Sequence, residues 1–313
     1  MSPKKSKLNI DLVIPVYNEA GVVEQTYAKV CEVIDALPHE FTFYYVDDGS
    51  EDATAESLHA LAKKDKRVEV LELSRNFGHQ AALSAGLDAT TGDFVISMDA
   101  DGQHPPAMIE EMIALFEQGY DIVQAQRMDE GGTASTFKRI TSSAFYKLIN
   151  NISGTQIIPG AADFRGMSRQ AVDALTGMPE YHRFLRGMIS DIGYKSVILP
   201  YRETERLAGV SKYSLGKMIR LAMDAIFSFS LVPLYIGLSA GGVFFLLAIL
   251  QVIYVYSKGD TANFVSGWGS LMFVLLVASG VILIVLGFIG VYIGYIFQQV
   301  KGRPVYLLKK GRE

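Results

Sequence analysis

The sequence predicts an α/β protein in which a mostly parallel sheet is covered by helices, followed by two apolar helices long enough to span a membrane. Over roughly the first 130 residues, short β-branched or aromatic runs alternate with helix-like patterns, as in sheets built from βαβ units. Residues 231–256 and 271–297 contain no Asp, Glu, Lys or Arg. As helices, both stretches would exceed the ~30 Å hydrocarbon core of a bilayer. We therefore expect a globular head on a two-helix membrane hairpin.

Composition limits the classes of function. The chain has 313 residues and a net charge of −4, which gives no support for nucleic-acid binding. Its single cysteine, Cys31, excludes an internal disulfide. The N-terminus carries lysines but no apolar core of signal-peptide length, so the head is expected to stay in the cytoplasm.

Basic residues flank the predicted hairpin on both sides. Those before the first span are Arg202, Arg206, Lys212, Lys217 and Arg220, and those after the second are Lys301, Arg303, Lys309, Lys310 and Arg312. The positive-inside bias then places the head and both termini in the cytoplasm, in a multi-pass protein of the cytoplasmic (inner) membrane. The spacings Gly237-x-x-x-Gly241 and Gly290-x-x-x-Gly294 would also suit association of the spans into a homo-oligomer.

The elements of the head follow in order. Strands are predicted at 8–16, 41–47, 68–73, 94–98 and 121–126, and helices at 22–37, 53–64, 80–89 and 106–117. A loop at 131–135 and a helix at 137–149 follow, and 160–201 is interpreted as short segments and loops. Parallel sheets bind ligands at the carboxyl ends of their strands, so we expect the chemistry just after each strand.

A second type of helix precedes the first span. In 210–229 one helical face carries apolar residues, and Lys217, Arg220 and Asp224 lie opposite. This pattern predicts an amphipathic helix in the membrane interface. The resulting boundaries are a head at 1–209, this helix at 210–229, the two spans within 230–298 and a basic tail at 299–313.

The strongest motif is Asp99-Ala100-Asp101-Gly102-Gln103, directly after a buried strand. If the strand geometry continued, the two carboxylates would point the same way and repel each other. A divalent cation with oxygen ligands would compensate this repulsion, with Gln103 and His104 as further candidate ligands. The alternative is an Asx-rich turn in solvent.

Polar residues also follow the other strands. The segments are 14–19, 46–52 and 74–80, and Arg127 ends the fifth strand. Gly78 permits close approach of the backbone to a ligand, and Arg75 offers a planar fork for phosphate.

Together, 14–19, 46–52, 74–80 and 99–103 resemble the strand-end motifs of family 2 glycosyltransferases with the A-type fold. The resemblance covers the head from about residue 10 to 213. With the C-terminal hairpin, the chain is most similar to polyprenyl-phosphate hexosyltransferases, including bactoprenol glucosyl transferases and dolichyl-phosphate mannose synthases. This resemblance implies a nucleotide-sugar donor, a divalent metal (Mg²⁺ or Mn²⁺), a polyprenyl phosphate acceptor and an A-type head with a nucleotide-binding sheet.

The resemblance also implies residue roles. Donor-binding residues would be Pro15, Tyr17, Glu19, Asp47, Asp48, Arg75, Gly78, Asp99, Ala100 and Arg127. Metal ligands would be Asp99, Asp101 and Gln103, and the catalytic residues Asp163 and Asp101. Acceptor phosphate would be bound by Arg183, Arg206, Ser211 and Lys212. Asp163 would act as a base or as a positioning group.

The expected reaction is inverting transfer of a hexose to a polyprenyl phosphate such as undecaprenyl phosphate, with UDP-glucose as the favoured donor. GDP-mannose and UDP-amino-arabinose are alternative donors. A membrane-tethered nucleotide-sugar binding protein without turnover is the alternative from another class.

Overall fold

The computed structural model describes residues 7–128, 161–202, 231–258 and 267–309. Several predictions fall outside these ranges: the loop at 131–135, the helices at 137–149 and 210–229, and the acceptor residues Arg206, Ser211 and Lys212.

All nine helices and strands predicted between residues 8 and 126 are present. They are β1 (Asn9–Val16), α1 (Val23–Ile34), β2 (Glu40–Asp47), α2 (Thr54–Lys64), β3 (Val68–Glu72), α3 (His79–Ala89), β4 (Phe94–Ser97), α4 (Met108–Glu117) and β5 (Ile122–Arg127). The strands are short apolar runs and the helices have one buried face, so local periodicity was enough to find them.

The stretch from 160 to 201 is more regular than its sequence indicated. It contains β6 (Ala161–Ser168), α5 (Arg169–Thr176), α6 (Leu185–Asp191) and β7 (Ser196–Tyr201). Strand β6 was missed because it does not alternate: Asp163, Phe164, Arg165 and Gly166 are all buried. Its last residue, Ser168, caps α5 by accepting a hydrogen bond from the Ala171 N–H at 3.2 Å.

The predicted mostly parallel sheet is confirmed. Its seven strands lie in the order β3-β2-β1-β4-β6-β5-β7. Every neighbouring pair is parallel except the two pairs that include β6. The chain runs outward from β1 to β3 and then returns to β4 on the other side of β1. This reversal leaves a crevice at the carboxyl ends of β1 and β4, where open α/β sheets bind ligands.

Helices cover both faces of the sheet. One apolar cluster joins β1, β2 and β4 to α1, α2 and α4, with Leu12, Phe43 and Ile109 fully buried. A second cluster, on the opposite face, joins the sheet to α3, α5 and α6, with Val13, Ala82 and Val172 fully buried. The site edge therefore rests on a sheet fixed from both sides.

Two long apolar helices follow the head: α7 (Val232–Lys258) and α8 (Trp268–Val300). Both predicted helices are thus present. Within the described residues, Val274–Val300 is the one stretch long and apolar enough to cross a membrane, and none of it is buried. Gly237 of α7 packs against Val285 of α8, where an added Cβ would lie 2.9 Å from a methyl carbon.

The chain after α8 returns to the head. Leu308 forms an antiparallel bridge with Leu73, just beyond β3. The Ser74 N–H donates to the Leu307 carbonyl, and the Lys309 N–H donates to the Glu72 carbonyl, both at 2.8 Å. The end of α8 and the β3 edge of the head are therefore tied together.

Gly86 gives a test of the packing of α3 on the sheet. A Cβ at this position would clash with Val13 Cγ1 and lie 3.0 Å from Val46 Cγ2, and both valines are fully buried. We expect Gly86→Ala to cost about 1–3 kcal/mol by overpacking, of which alanine's better helix propensity offsets at most about 1 kcal/mol. The measurement is the thermal unfolding midpoint of the purified protein. Gly21→Ala, with open space around its Cβ, is the control, and an equal midpoint in the two variants would contradict the packing.

Candidate active site

The loops after β1 and β2 form one unit. The Asp48 N–H donates to the Val16 carbonyl at 2.9 Å. Asn18 adopts a positive φ of 54°; its N–H donates to Ser50 Oγ at 3.0 Å, and its side-chain oxygen accepts from the Glu51 N–H at 2.9 Å. This reciprocal pairing holds the residues at the two strand ends in a fixed arrangement.

Pro15 lies where β1 separates from β4. The pairing of these strands ends at Val13 and Ser97, so the missing N–H of Pro15 disturbs no bond between them. Tyr17, just beyond, is 38% exposed, and the Glu19 N–H donates to Thr54 Oγ1 at 2.9 Å. The predicted donor-binding residues of this segment therefore line the mouth of the crevice.

Asp47 is buried at the end of β2 with one oxygen unused. Its Oδ1 accepts a hydrogen bond from the Ser50 N–H at 3.0 Å. Its Oδ2 has no hydrogen-bond partner among the described residues. A buried carboxylate oxygen without a donor is costly, so this atom fits a ligand that presents an N–H or O–H group.

Asp48 shapes the neighbouring loop. Its two oxygens accept hydrogen bonds from the N–H groups of Phe77 and Gly78, at 2.7 and 2.9 Å. Burial raises the pKa of this carboxyl, against the opposing effect of the two N–H donors. Gly49, with φ of 70°, lets this turn contact the backbone of Arg75 and Asn76, because an added Cβ would lie 2.7 Å from the Asn76 nitrogen.

The same loop carries Arg75, the side chain predicted to bind phosphate. The Arg75 guanidinium lies 4.0 Å from the centre of the Phe77 ring, in a cation–π arrangement. Gly78 has a φ of 97° and directly precedes α3, which explains the glycine at this position.

The acid pair lies in a turn, contrary to the assumption of continued strand geometry. Strand β4 ends at Ser97, and Asp101 Oδ1 accepts a hydrogen bond from the Gln103 N–H at 3.0 Å. This contact is an Asx turn, which was the alternative to a metal site, and the role of Asp101 as a metal ligand stays a prediction. Among the described residues, no group of three or more His, Cys, Asp or Glu side chains is arranged to hold a metal. Two carboxylates with an amide still suit a hard cation completed by diphosphate oxygens.

The His104 side chain is hydrogen-bonded to the backbone of Asp99. Its Nδ1 accepts a hydrogen bond from the Asp99 N–H at 3.0 Å, which places the ring proton on Nε2, 3.7 Å from Asp99 Oδ2. The ring is buried and stacks on Phe164 with centroids 4.8 Å apart. His104, a candidate metal ligand from sequence, is instead a support for the turn.

The reversed strand β6 brings Asp163 to the same edge. In the pairing of β4 with β6, Ser97 faces Arg165, and Ser97 Oγ donates to the Asp163 carbonyl at 2.8 Å. Continuing this antiparallel register by two residues places Asp163 opposite Asp99. The predicted acceptor-side carboxylate therefore lies beside the acid pair.

Two arginines hold the Asp163 carboxylate. Arg186 donates from Nε and Nη2 to its two oxygens at 3.1 and 2.9 Å, and Arg165 donates from Nη2 at 2.5 Å. Burial by itself would raise the pKa of Asp163, but the charges of Arg186 and Arg165 outweigh it and hold the pKa far below its usual range. The two arginines therefore favour the ionised form of Asp163.

His79 connects the two acidic groups. Its Nε2 lies 2.9 Å from Asp99 Oδ1, and its Nδ1 lies 3.9 Å from Asp163 Oδ2. Burial disfavours the charged ring, yet the hydrogen bond and charge of Asp99 raise the pKa of His79. The result is a chain of opposite charges from Arg186 through Asp163 and His79 to Asp99.

Residues 11–176 match the family described as glycosyl transferase family 2. The chain belongs to this family. It is 39% identical to the uncharacterized glycosyltransferase YkcC of Bacillus subtilis, over 97% of this chain and 94% of that protein. It is 40% identical to a bactoprenol glucosyl transferase of Shigella phage SfX, over 96% and 99% of the two chains. A prophage bactoprenol glucosyl transferase homolog of Escherichia coli is 38% identical, over 97% and 99%.

The structure adds contacts for three residues of the glycosyltransferase that the sequence did not predict, and the acceptor role of Arg183 stays a prediction. His79 and Arg165 were not assigned a role, because their significance comes only from contacts across the sheet. Arg183, predicted to bind the acceptor phosphate, has its guanidinium 3.9 Å from Asp88 near the far end of α3 and donates to the Met178 carbonyl at 3.4 Å. Arg127 is exposed at the carboxyl end of β5, on the predicted edge.

The charge on Arg186 gives a pH-dependent prediction for the glycosyltransferase. In Arg186→Gln, the pKa of Asp163 rises toward its ordinary value, by about one unit or more for the loss of an adjacent opposite charge. Asp163 then becomes protonated at higher pH, so activity declines earlier as the pH falls. The measurement is the pH profile of kcat/KM for sugar transfer. Lys7→Gln, which removes an exposed pair with Glu40, is the control, and an unmoved acid limb in Arg186→Gln would contradict the assignment.

Proposed function

We propose that this glycosyltransferase catalyses metal-dependent, inverting transfer of a hexose, glucose from UDP-glucose, to a polyprenyl phosphate at the cytoplasmic face of a membrane. The relatives named bactoprenol glucosyl transferases, aligned over nearly their full length, support this acceptor and sugar. One observation carries the proposal: the acidic residues Asp99, Asp101 and Asp163, here called the acid centre, lie at the ligand edge of a sheet whose head is also bonded to the chain after the apolar helix α8.

The donor is proposed to enter the crevice between β1 and β4. Asp47 Oδ2 accepts a hydrogen bond from the base or ribose, and Arg75 faces the diphosphate. Asp99, Asp101 and Gln103 would hold Mg²⁺ or Mn²⁺, and the bound cation would supply positive charge that stabilises the leaving diphosphate.

Asp163 is proposed to orient the acceptor side. A phosphate monoester has a second pKa of about 6, so it reaches the site mostly as a dianion that needs no strong base. Asp163 is itself kept ionised by two arginines, and it fixes the guanidinium of Arg186 toward the incoming phosphate. A non-bridging phosphate oxygen of the prenyl phosphate then attacks the anomeric carbon, and the bond from that carbon to the nucleoside diphosphate breaks on the opposite face.

The membrane arrangement is proposed to be a hairpin of α7 and α8. The two helices are joined by a short connection, and Gly237 meets Val285 at similar distances from it, as in an antiparallel pair. Head and tail are in contact, which supports the proposal that both lie on the side of the membrane where α8 ends. Gly237 serves the contact within the chain, whereas Gly241, Gly290 and Gly294 have open space around them for contacts between copies.

A donor screen tests the proposed reaction. Radiolabelled UDP-glucose, GDP-mannose and UDP-amino-arabinose are incubated with the full-length protein and undecaprenyl phosphate, with and without Mg²⁺ or Mn²⁺. We expect label in the lipid fraction with UDP-glucose and a divalent cation, and none after chelation. If only GDP-mannose or only UDP-amino-arabinose supported transfer, its sugar would replace glucose in the proposal. Binding of a donor without labelling of the lipid would favour the alternative, a membrane-tethered nucleotide-sugar binding protein without turnover.

Asp101 gives a second test. We expect Asp101→Asn to lower transfer by at least about 10²-fold, because the metal loses a charged ligand that stabilises the leaving diphosphate. Membrane association should be unchanged. The measurement is lipid-linked sugar formed by membrane fractions containing equal amounts of protein. Asp173→Asn, an exposed acid on α5, is the control, and normal transfer by Asp101→Asn would remove the metal assignment.

A further inference from the structure

The segment that leads to Arg186 has no regular structure of its own. Residues 177–184 connect α5 to α6 without helix or strand, and Arg186 is the second residue of α6. The position of Arg186 against Asp163 therefore depends on what holds this connection from outside.

The end of the membrane helix holds it. Gln299, the penultimate residue of α8, donates from Nε2 to the Pro179 carbonyl at 2.6 Å. Its Oε1 accepts from the Tyr181 N–H at 2.7 Å. The amide thus uses a donor and an acceptor on one short piece of backbone. A glutamate could supply only the acceptor, and an alanine neither.

Two neighbouring contacts hold the same connection. The His182 ring lies with its centroid 4.5 Å from that of Tyr295, one helical turn before Gln299. Asp88 of α3 accepts from Tyr306 Oη at 2.8 Å, and the same carboxylate oxygen lies 3.9 Å from Arg183. The connection is therefore fixed between α8, the chain that follows it and α3.

On its other side the connection contacts the acid centre. The Leu185 N–H donates to Gln80 Oε1 at 3.1 Å, and Gln80 follows His79 at the start of α3. Arg186 comes next and forms its paired hydrogen bonds with Asp163. Only four residues separate Tyr181, fixed by α8, from Arg186, fixed on the site.

We propose that Gln299 is a positioning residue that couples the cytoplasmic end of α8 to the Arg186–Asp163 pair. The site reaches its working geometry when α8 is seated against residues 179–181, so that the helix which fixes the enzyme in the membrane also sets the acceptor side. The inference rests on the proposed function only in taking a prenyl phosphate as the acceptor.

Hydrogen exchange tests the coupling without substrate. Full-length Gln299→Ala, Gln299→Glu and Gln298→Ala are compared with the wild type in nanodiscs. Gln298 is an exposed neighbour of the same residue type and serves as the matched control. We expect faster exchange at residues 181–186 in Gln299→Ala, a smaller increase in Gln299→Glu, which keeps an acceptor for the Tyr181 N–H, and no change in the central strands β1 and β4. Wild-type exchange in that segment would overturn the proposal, and faster exchange throughout the head would replace it with a general structural role.

A double-mutant cycle tests the route through Arg186. We expect Gln299→Ala to lower kcat roughly tenfold, the effect of two lost hydrogen bonds of ordinary net strength, with KM for the nucleotide-sugar unchanged and Gln298→Ala near wild type. In an Arg186→Lys background, where the paired contact with Asp163 is already lost, the same substitution should change kcat less than about twofold. An equal loss in both backgrounds would show that Gln299 does not act through Arg186.

The two proposals fail separately. The exchange measurement needs no substrate, so a screen without prenyl phosphate transfer overturns the acceptor assignment alone. Faster exchange at 181–186 in the Gln299 variants would still support the coupling in that case.

Discussion

The site depends on one buried charge, the carboxylate of Asp163. An isolated carboxylate in this position would be strongly unfavourable, and it is stabilised because Arg165, Arg186 and His79 surround it. These groups come from β6, α6 and α3, and the two helices lie on the same face of the sheet. Compensation of this single charge therefore helps to fix α3 and α6 relative to β6, and it fixes Asp99 through His79.

The antiparallel direction of β6 allows a mostly parallel sheet to bring Asp163 to its ligand-binding edge. In parallel strands only the carboxyl ends reach the ligand edge. Because β6 runs in reverse, its N-terminal end reaches that edge, and Asp163 lies opposite the turn that follows β4. The sheet thereby places a carboxylate from the second half of the head beside the acid pair from the first half, with Phe164 stacked beneath His104.

The tie between α8 and the head bears on how the proposed soluble donor and the proposed lipid acceptor would meet. A prenyl chain stays in the hydrocarbon region, favoured by about 0.8 kcal/mol per buried CH₂, so its phosphate can be reached only near the membrane surface. The head is held at the end of α8 by backbone pairing at Leu73 and Leu308 and by the ion pair of Lys309 with Glu72. Such contacts restrict the height and orientation of the site above the surface.

Local pattern in the sequence determined the alternating strands and helices of the first half, the polar residues at their ends and the two apolar helices, because apolar periodicity and turn residues act within a few positions. It also predicted Asp47, Asp99 and Asp101 as site residues after strand ends, whereas Asp163 was predicted from the family resemblance. Tertiary structure alone decided that β6 runs antiparallel, that His79 joins Asp99 to Asp163, that Asp48 shapes a loop and that Arg183 faces Asp88. Those features depend on strand register and on charges distant in the chain, and neither leaves a periodic trace in the sequence.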